Sequence, residues 1–179
     1  MKIKILTLTI ILVCFGNLFL VLKKADFHLL SFDLPGKTSE IVFSEGMPLL
    51  AGEKVVIETT SEYNNLGNIL VRFTNNYRDS NDKINFSLYD QKDNSLVYKA
   101  TYNTDQFLPD RLFPFGFQPI SDSKNKSFRV IIESTRGSTE SGIYISANSP
   151  IFVFRSVLSK SDFFQNPTLV VGIVVSKLK

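Results

Sequence analysis

The amino-acid sequence predicts an all-β protein, a sandwich of two antiparallel sheets that follows an apolar N-terminal segment. Between residues 41 and 154, short runs alternate apolar and polar side chains, and polar turn residues separate them about every 8–15 residues. No stretch of this body keeps a helical period. A period of two places every second side chain on the same face of a strand, which is the pattern of half-buried sheets.

The alternating runs follow one another along the whole body. Their apolar members, which we expect to face the core, are Ile41 and Phe43; Val55 and Ile57; Ile69, Val71 and Phe73; Ile84, Phe86 and Leu88; Leu96, Tyr98 and Ala100; Phe113, Phe115 and Phe117; Phe128, Val130 and Ile132; Ile143 and Ile145; and residues 151–154. The chain has 16 phenylalanines and one cysteine, so the core must be stable without an internal disulfide. Pro114 and Gly116 predict that their strand lies at an edge or is bulged.

Residues 5–22 carry no charge and are mostly apolar, with two lysines on each side. As a helix this run spans about 27 Å, close to the hydrocarbon thickness of a bilayer. We therefore predict a transmembrane anchor at 1–24, a connector at 25–36 and a sandwich domain at 37–157. A cleaved signal peptide is the alternative, although no small-residue cleavage site follows the run. In both cases the bulk of the chain is expected outside the cytoplasm, and with an anchor the protein is a single-pass membrane protein.

The last segment, residues 158–179, is predicted to lie near the membrane. Phe163 and Phe164 precede a short apolar stretch, and lysines end the chain. A docked strand, an interfacial helix or the start of a second span would each suit this composition. We expect a short helix.

The overall charge of +3 does not describe the folded body. Six of the 20 basic residues flank the apolar run or end the chain, which leaves 14 basic against all 17 acidic residues between positions 25 and 162. A nucleic-acid-binding surface would need clustered basic residues on the body. We therefore expect membrane lipid as a partner and no nucleic acid.

The inventory of reactive side chains argues against catalysis. The single histidine, His28, lies just after the apolar run, and Cys14 lies within it. Catalytic triads and imidazole metal sites are therefore excluded, and we expect no enzyme. A glycoside hydrolase built on two carboxylates is the enzymatic alternative.

Two groups of loop residues are candidate binding sites. For a sugar ligand, the candidates are Tyr63, Asn65, Asn76, Tyr77 and Tyr102, because sugar sites combine aromatic rings with planar polar groups. For Ca²⁺, the one cofactor considered, the oxygen ligands would be Asp79, Asn81 and Asp82. The alternative for both groups is that these residues simply form turns.

Residues 115–128 (FGFQPISDSKNKSF) resemble a feature of jelly-roll modules in prokaryotic envelope proteins, where a phenylalanine-rich strand runs through a turn into the next strand. The runs 66–69 and 88–90 are similar to the same pattern, and the resemblance covers about residues 39–147. It implies a membrane-anchored jelly roll of the galactose-binding-like or carbohydrate-binding-like kind, a class that often accompanies glycan-assembly machinery. No binding residue of that family can be transferred.

Together these observations predict a non-enzymatic, extracytoplasmic module that binds cell-envelope glycan. The alternative is a structural domain that docks on a membrane protein complex, such as glycan-assembly machinery, without binding sugar. A concave, exposed cluster of tyrosine and asparagine would favour the first, and a flat apolar patch would favour the second.

Overall fold

A computed structural model describes residues 31–35, 38–42, 46–75 and 80–157 of the chain. These residues form ten strands and one short 3-10 turn, Thr104–Gln106. The strands are β1 Ser31–Pro35, β2 Thr38–Val42, β3 Lys54–Thr60, β4 Leu66–Thr74, β5 Lys83–Asp90, β6 Leu96–Asn103, β7 Arg111–Ile120, β8 Ser127–Ser134, β9 Tyr144–Ile145 and β10 Phe152–Val157.

The described strands form two five-stranded sheets in which every pair is antiparallel. The first sheet has the order β1-β10-β4-β7, with β9 paired to the end of β4, and the second has the order β2-β3-β8-β5-β6. The chain passes between the sheets repeatedly, for example from β3 to β4 and from β4 to β5. The prediction of an all-β fold with two antiparallel sheets is confirmed.

The core lies between the two sheets and is rich in phenylalanine. Phe86 of the second sheet stacks on Phe115 of the first, with ring centroids 4.4 Å apart and planes 11° from parallel. The predicted inward residues of β3, β4, β5 and β8 are buried, as the alternation requires. Leu96 differs, because 53% of it is exposed at the start of β6, where the pairing with β5 shifts register.

The strand β7 is both an edge strand and irregular, as its proline and glycine predict. Its only partners among the described strands belong to β4, and the pairing jumps from Leu66 opposite Ile120 to Asn68 opposite Gly116. Phe115 lies on the buried face, and Pro114 and Gly116 lie on the exposed one. An edge position leaves the missing N–H of proline harmless to the sheet.

The sheet begins earlier than the sequence predicts. Strand β1 lies within the predicted connector, residues 25–36, and pairs with β10 along its full length. Asp33 also accepts two hydrogen bonds from the guanidinium of Arg155, which joins the two strands. The alternating pattern is short here and ends in a turn signal, so it does not distinguish a strand from a connector.

The predicted anchor at 1–24 and the C-terminal segment at 158–179 lie outside the described residues. Within the described ranges, no helix combines the length and the apolar character that a membrane span requires.

Candidate functional site

The structure places the described members of the predicted sugar site far apart. Tyr63 and Asn65 lie in the loop before β4, while Tyr102 lies on β6 in the other sheet and packs against Phe113 and Phe115. Those two phenylalanines pair with Val71 and Ile69, four to six residues after Asn65, which corresponds to about 13–20 Å along β4. Asn76 and Tyr77 lie outside the described residues.

The described residues of this set also have packing roles. The Tyr102 ring lies edge-on to Phe113 and Phe115, with centroids 5.5 and 5.1 Å apart. Burial raises the pKa of the Tyr102 phenol above its usual range, and a hydrogen bond with Tyr98 adds to the shift. Asn65 takes a left-handed backbone conformation, with φ of 60°, in the turn that leads into β4.

Of the predicted calcium ligands, Asp82 is buried and its carboxylate is engaged within the protein. Oδ1 accepts hydrogen bonds from the backbone N–H groups of Lys83 and Arg136, at 2.6 and 2.7 Å. Oδ2 accepts one from the Ser134 hydroxyl at 2.6 Å. This carboxylate therefore joins the start of β5 to the end of β8.

Asn81 is exposed and lines a shallow cleft of about 250 Å³ with Asp105. Asp79 lies outside the described residues. Among the residues that are described, no group of three histidine, cysteine, aspartate or glutamate side chains could hold a metal ion. The calcium site stays a prediction.

A different set of polar residues does converge, at the end of the first sheet where β4 ends and β7 begins. It forms a cleft of about 360 Å³, here called the Asp110 cleft. The residues that line it are Gly46, Thr74, Asp110, Tyr144, Ile145, Ser146, Ala147 and Asn148.

Arg72 holds the two loops that form this cleft. Its Nε donates to the carbonyl oxygen of Pro150 at 3.1 Å, and its Nη1 donates to the carbonyl oxygen of Asp110 at 2.5 Å. Asp110 has a φ of 55°, a left-handed conformation that aspartate adopts more readily than most residues. The loop before β7 and the loop after β9 are thereby tied to the same strand, β4.

The Asp110 carboxylate is held in its ionised form. Its Oδ1 accepts hydrogen bonds from the Ser146 hydroxyl at 2.6 Å and from Asn148 Nδ2 at 3.1 Å. These bonds, aided by the nearby charge of Arg72, keep the pKa of Asp110 below its usual value. Since both bonds go to Oδ1, Oδ2 has no hydrogen-bond donor among the described residues.

Further polar groups in the cleft are also unused. The Tyr144 hydroxyl and the Asn148 side-chain oxygen make no hydrogen bond within the described part of the chain. The cleft therefore offers an anionic acceptor, an amide, a phenol and an aromatic ring in one place. This combination suits a ligand with several adjacent hydroxyl groups.

The local sequence does not indicate this site, because its residues come from separate loops. Asp110 and Asn148 lie 38 positions apart, and each has the local pattern of a turn former, directly after Pro109 and two residues before Pro150. Only the pairing of β7 and β9 with β4 brings them together.

No family model matches the chain, and no curated protein matches its sequence. Among solved structures, a mutant of Xylanase10C from Cellvibrio japonicus in complex with xylopentaose matches with a TM-score of 0.42 and 14% identity over 75% of this chain and 28% of its own.

Two other solved structures are similar in the same way. A 4-O-methyl-alpha-glucuronidase with specificity for decorated arabinogalactans has a TM-score of 0.35 and 14% identity over 74% of this chain and 18% of its own. A structure of carbohydrate-binding modules from the β-sandwich superfamily has a TM-score of 0.34 and 6% identity over 75% of this chain and 57% of its own. The chain thus spans between about a fifth and three fifths of the length of these proteins.

Proposed function

We propose that this chain is a non-enzymatic binding module that recognises a glycan of the cell envelope through the Asp110 cleft. The observation that carries the proposal is the ionised Asp110 carboxylate, whose Oδ2 lacks a donor among the described residues, beside the unused groups of Tyr144 and Asn148. Neighbouring hydroxyls of a sugar ring can donate to Oδ2 of the carboxylate and to the side-chain oxygen of Asn148, while the tyrosine ring covers an apolar face of the sugar.

The proposed cellular setting follows from the sequence. The apolar run at 5–22, flanked by lysines, would hold the sandwich at the outer face of a prokaryotic membrane. Membrane lipid would then be one partner and the envelope glycan the other. We infer a jelly-roll topology for the sandwich, and the repeated passage of the chain between the two sheets supports it.

A glycan-array screen of the full-length chain in detergent micelles tests the proposal. The wild-type protein should retain at least one glycan, and Asp110→Asn should weaken that binding by about tenfold or more through loss of a charge-assisted hydrogen bond. The matched control is Asp105→Asn, the same change at an exposed position outside the cleft. Incubation with the bound glycan should release no new reducing ends. A blank array, or equal binding by the two variants, would overturn the proposal.

A second candidate function is docking on a membrane protein complex, and one observation favours it. Leu96 and Val97 are 53% and 40% exposed on β6, which is an edge strand of the second sheet. Exposed apolar side chains beside an unpaired strand edge suit a protein partner. A photo-crosslinker at Val97 would then give a discrete product in intact membranes. The candidate would be refuted if the only products came from bulk lipid.

A further inference from the structure

The outward face of the second sheet carries an arginine at its centre. Strand β8 lies between β3 and β5, and Arg129 is opposite Glu58 on one side and Tyr89 on the other. All three side chains are partly exposed, while Phe128 and Val130 on either side of Arg129 are buried in the core. Arg129 therefore points away from the core, in the middle of the sheet.

The Arg129 guanidinium is held in place by two neighbours. Its Cζ lies 5.7 Å from the centroid of the Tyr89 ring, which is a cation–π contact. Its Nη2 donates to the side-chain oxygen of Asn94, in the turn between β5 and β6. An arginine fixed in this way loses less conformational entropy when it binds an anion.

The same guanidinium has hydrogen-bonding capacity to spare. Within the described part of the chain, the buried Nε has no acceptor, and the guanidinium's one hydrogen bond to a described residue comes from Nη2. Each Nη carries two hydrogens, so Nη1 and Nη2 keep donors for an anion from outside, whereas the buried Nε is out of its reach. The acidic neighbour is Glu58, which lies opposite Arg129 on β3 and has an interaction partner.

Other donors on this face are also in excess, while its acceptors are used internally. The Asn85 side-chain oxygen accepts from the Thr101 hydroxyl at 2.7 Å, which leaves the Asn85 NH₂ group unused among the described residues. Glu133 is paired with Lys54, with 3.5 Å between the charged groups. Lys99 is exposed and makes no ion pair with a described residue.

These donors form one strip along β8, β5 and β6. Tyr89 and Asn85 are four residues apart on β5, so Arg129 and Asn85 mark the ends of a strip about 13 Å long. Lys99, which pairs across β5 and β6 with the buried Ser87, lies between them. We name these three residues, Arg129, Lys99 and Asn85, the donor strip.

We propose that the donor strip is a second binding site, for an acidic polysaccharide, with the carboxylate of a uronic-acid unit on the guanidinium of Arg129. A planar carboxylate can accept two parallel hydrogen bonds from a guanidinium, which is the strongest pairing that this face offers. The sugar hydroxyls then accept from Asn85 and Lys99. The site shares no residue with the Asp110 cleft, and it stands whether or not that cleft binds sugar.

The test uses the full-length chain in detergent micelles and measures binding by titration calorimetry. The probes are polygalacturonate, which carries a carboxylate on each unit, and an uncharged galactan. Wild-type protein should bind polygalacturonate, and Arg129→Gln should weaken this binding by about tenfold or more. Arg129→Lys should recover only part of the affinity, because a lysine keeps the charge but lacks the planar fork.

Two controls separate a specific site from general charge attraction. Arg136→Gln makes the same change of charge at an exposed residue just beyond the end of β8 and should leave binding unchanged. Lys99 is exposed, so Lys99→Gln should not disturb folding, whereas a change at Arg129 could disturb its packing in the sheet. Lys99→Gln should weaken the binding of polygalacturonate by about threefold. Equal losses in Arg129→Gln and Arg136→Gln, or no binding of polygalacturonate by the wild type, would overturn the proposal. The glycan array with Asp110→Asn tests the cleft, and the polygalacturonate titration with Arg129→Gln tests the strip, so failure at the cleft and failure at the strip are distinguishable.

Discussion

Replacing Phe115 by alanine should remove the centre of the core. Phe115 is fully buried, stacked on Phe86 at 4.4 Å and edge-on to Tyr102 and Phe113, each at 5.1 Å. Truncation of a buried phenylalanine costs about 3–5 kcal/mol of unfolding free energy. Because the stacked pair contributes about 0.5–1.5 kcal/mol beyond burial, we expect the upper half of that range, about 4–5 kcal/mol.

Urea denaturation of the full-length chain in neutral detergent, followed by far-UV circular dichroism, measures this loss. With a urea dependence of about 2 kcal/mol per molar, a loss of 4 kcal/mol lowers the midpoint by about 2 M. Leu108→Ala is the matched control, because 66% of Leu108 is exposed and its removal leaves no cavity. A midpoint shift in Phe115→Ala no larger than that of the control would show that Phe115 does not lie between the two sheets.

Three further outcomes are expected. Gly137→Ala should destabilise the protein by about 1–3 kcal/mol or more, since an added Cβ would lie 1.9 Å from a backbone oxygen. Gly116→Ala should destabilise it less in the same urea assay, because the Cβ added there would contact only a flexible side chain. Asp82→Ala leaves buried donors unpaired and should lower the free energy of unfolding by about 2–4 kcal/mol. Thermal melts should show the same loss of stability with Ca²⁺ and with a chelator. A loss seen only with Ca²⁺ would instead identify Asp82 as a metal ligand. Hydrogen bonds lower the pKa of Asp110 in the folded state, so its contribution to stability is present at neutral pH and is lost as the pH falls below about 4. In a plot of unfolding free energy against pH, the fall on the acid side should therefore be shallower for Asp110→Asn than for the wild type. An identical fall in the two proteins would contradict the ionised carboxylate.

Much of the fold could be predicted because its signal is local. The alternation in β3, β5 and β8 already separates buried from exposed faces, and the proline and glycine of β7 already indicate an irregular edge. The sequence does not predict the strand β1, because five residues are too few to show a clear alternation of apolar and polar side chains. This strand depends on its pairing with β10.

The binding surfaces could not be predicted in the same way. Tyr63 and Tyr102 have suitable chemistry for a sugar site, yet about 13–20 Å of β4 separates the loop of Tyr63 from the place where Tyr102 packs. Asp110 and Asn148 have weaker local signals, yet a hydrogen bond joins them across 38 positions of sequence. Residue type alone cannot tell these cases apart, because the distance between loops depends on which strands pair.

The sequence by itself determined that this protein is a phenylalanine-rich sandwich of β-strands, since the period of two and the turn residues act over a few neighbouring positions. Only the tertiary structure decided which polar groups meet at the Asp110 cleft and which donors on the sheet face have no acceptor among the described residues. The physical reason is that hydrogen-bond satisfaction is a property of pairs, and these pairs come from strands far apart in the chain.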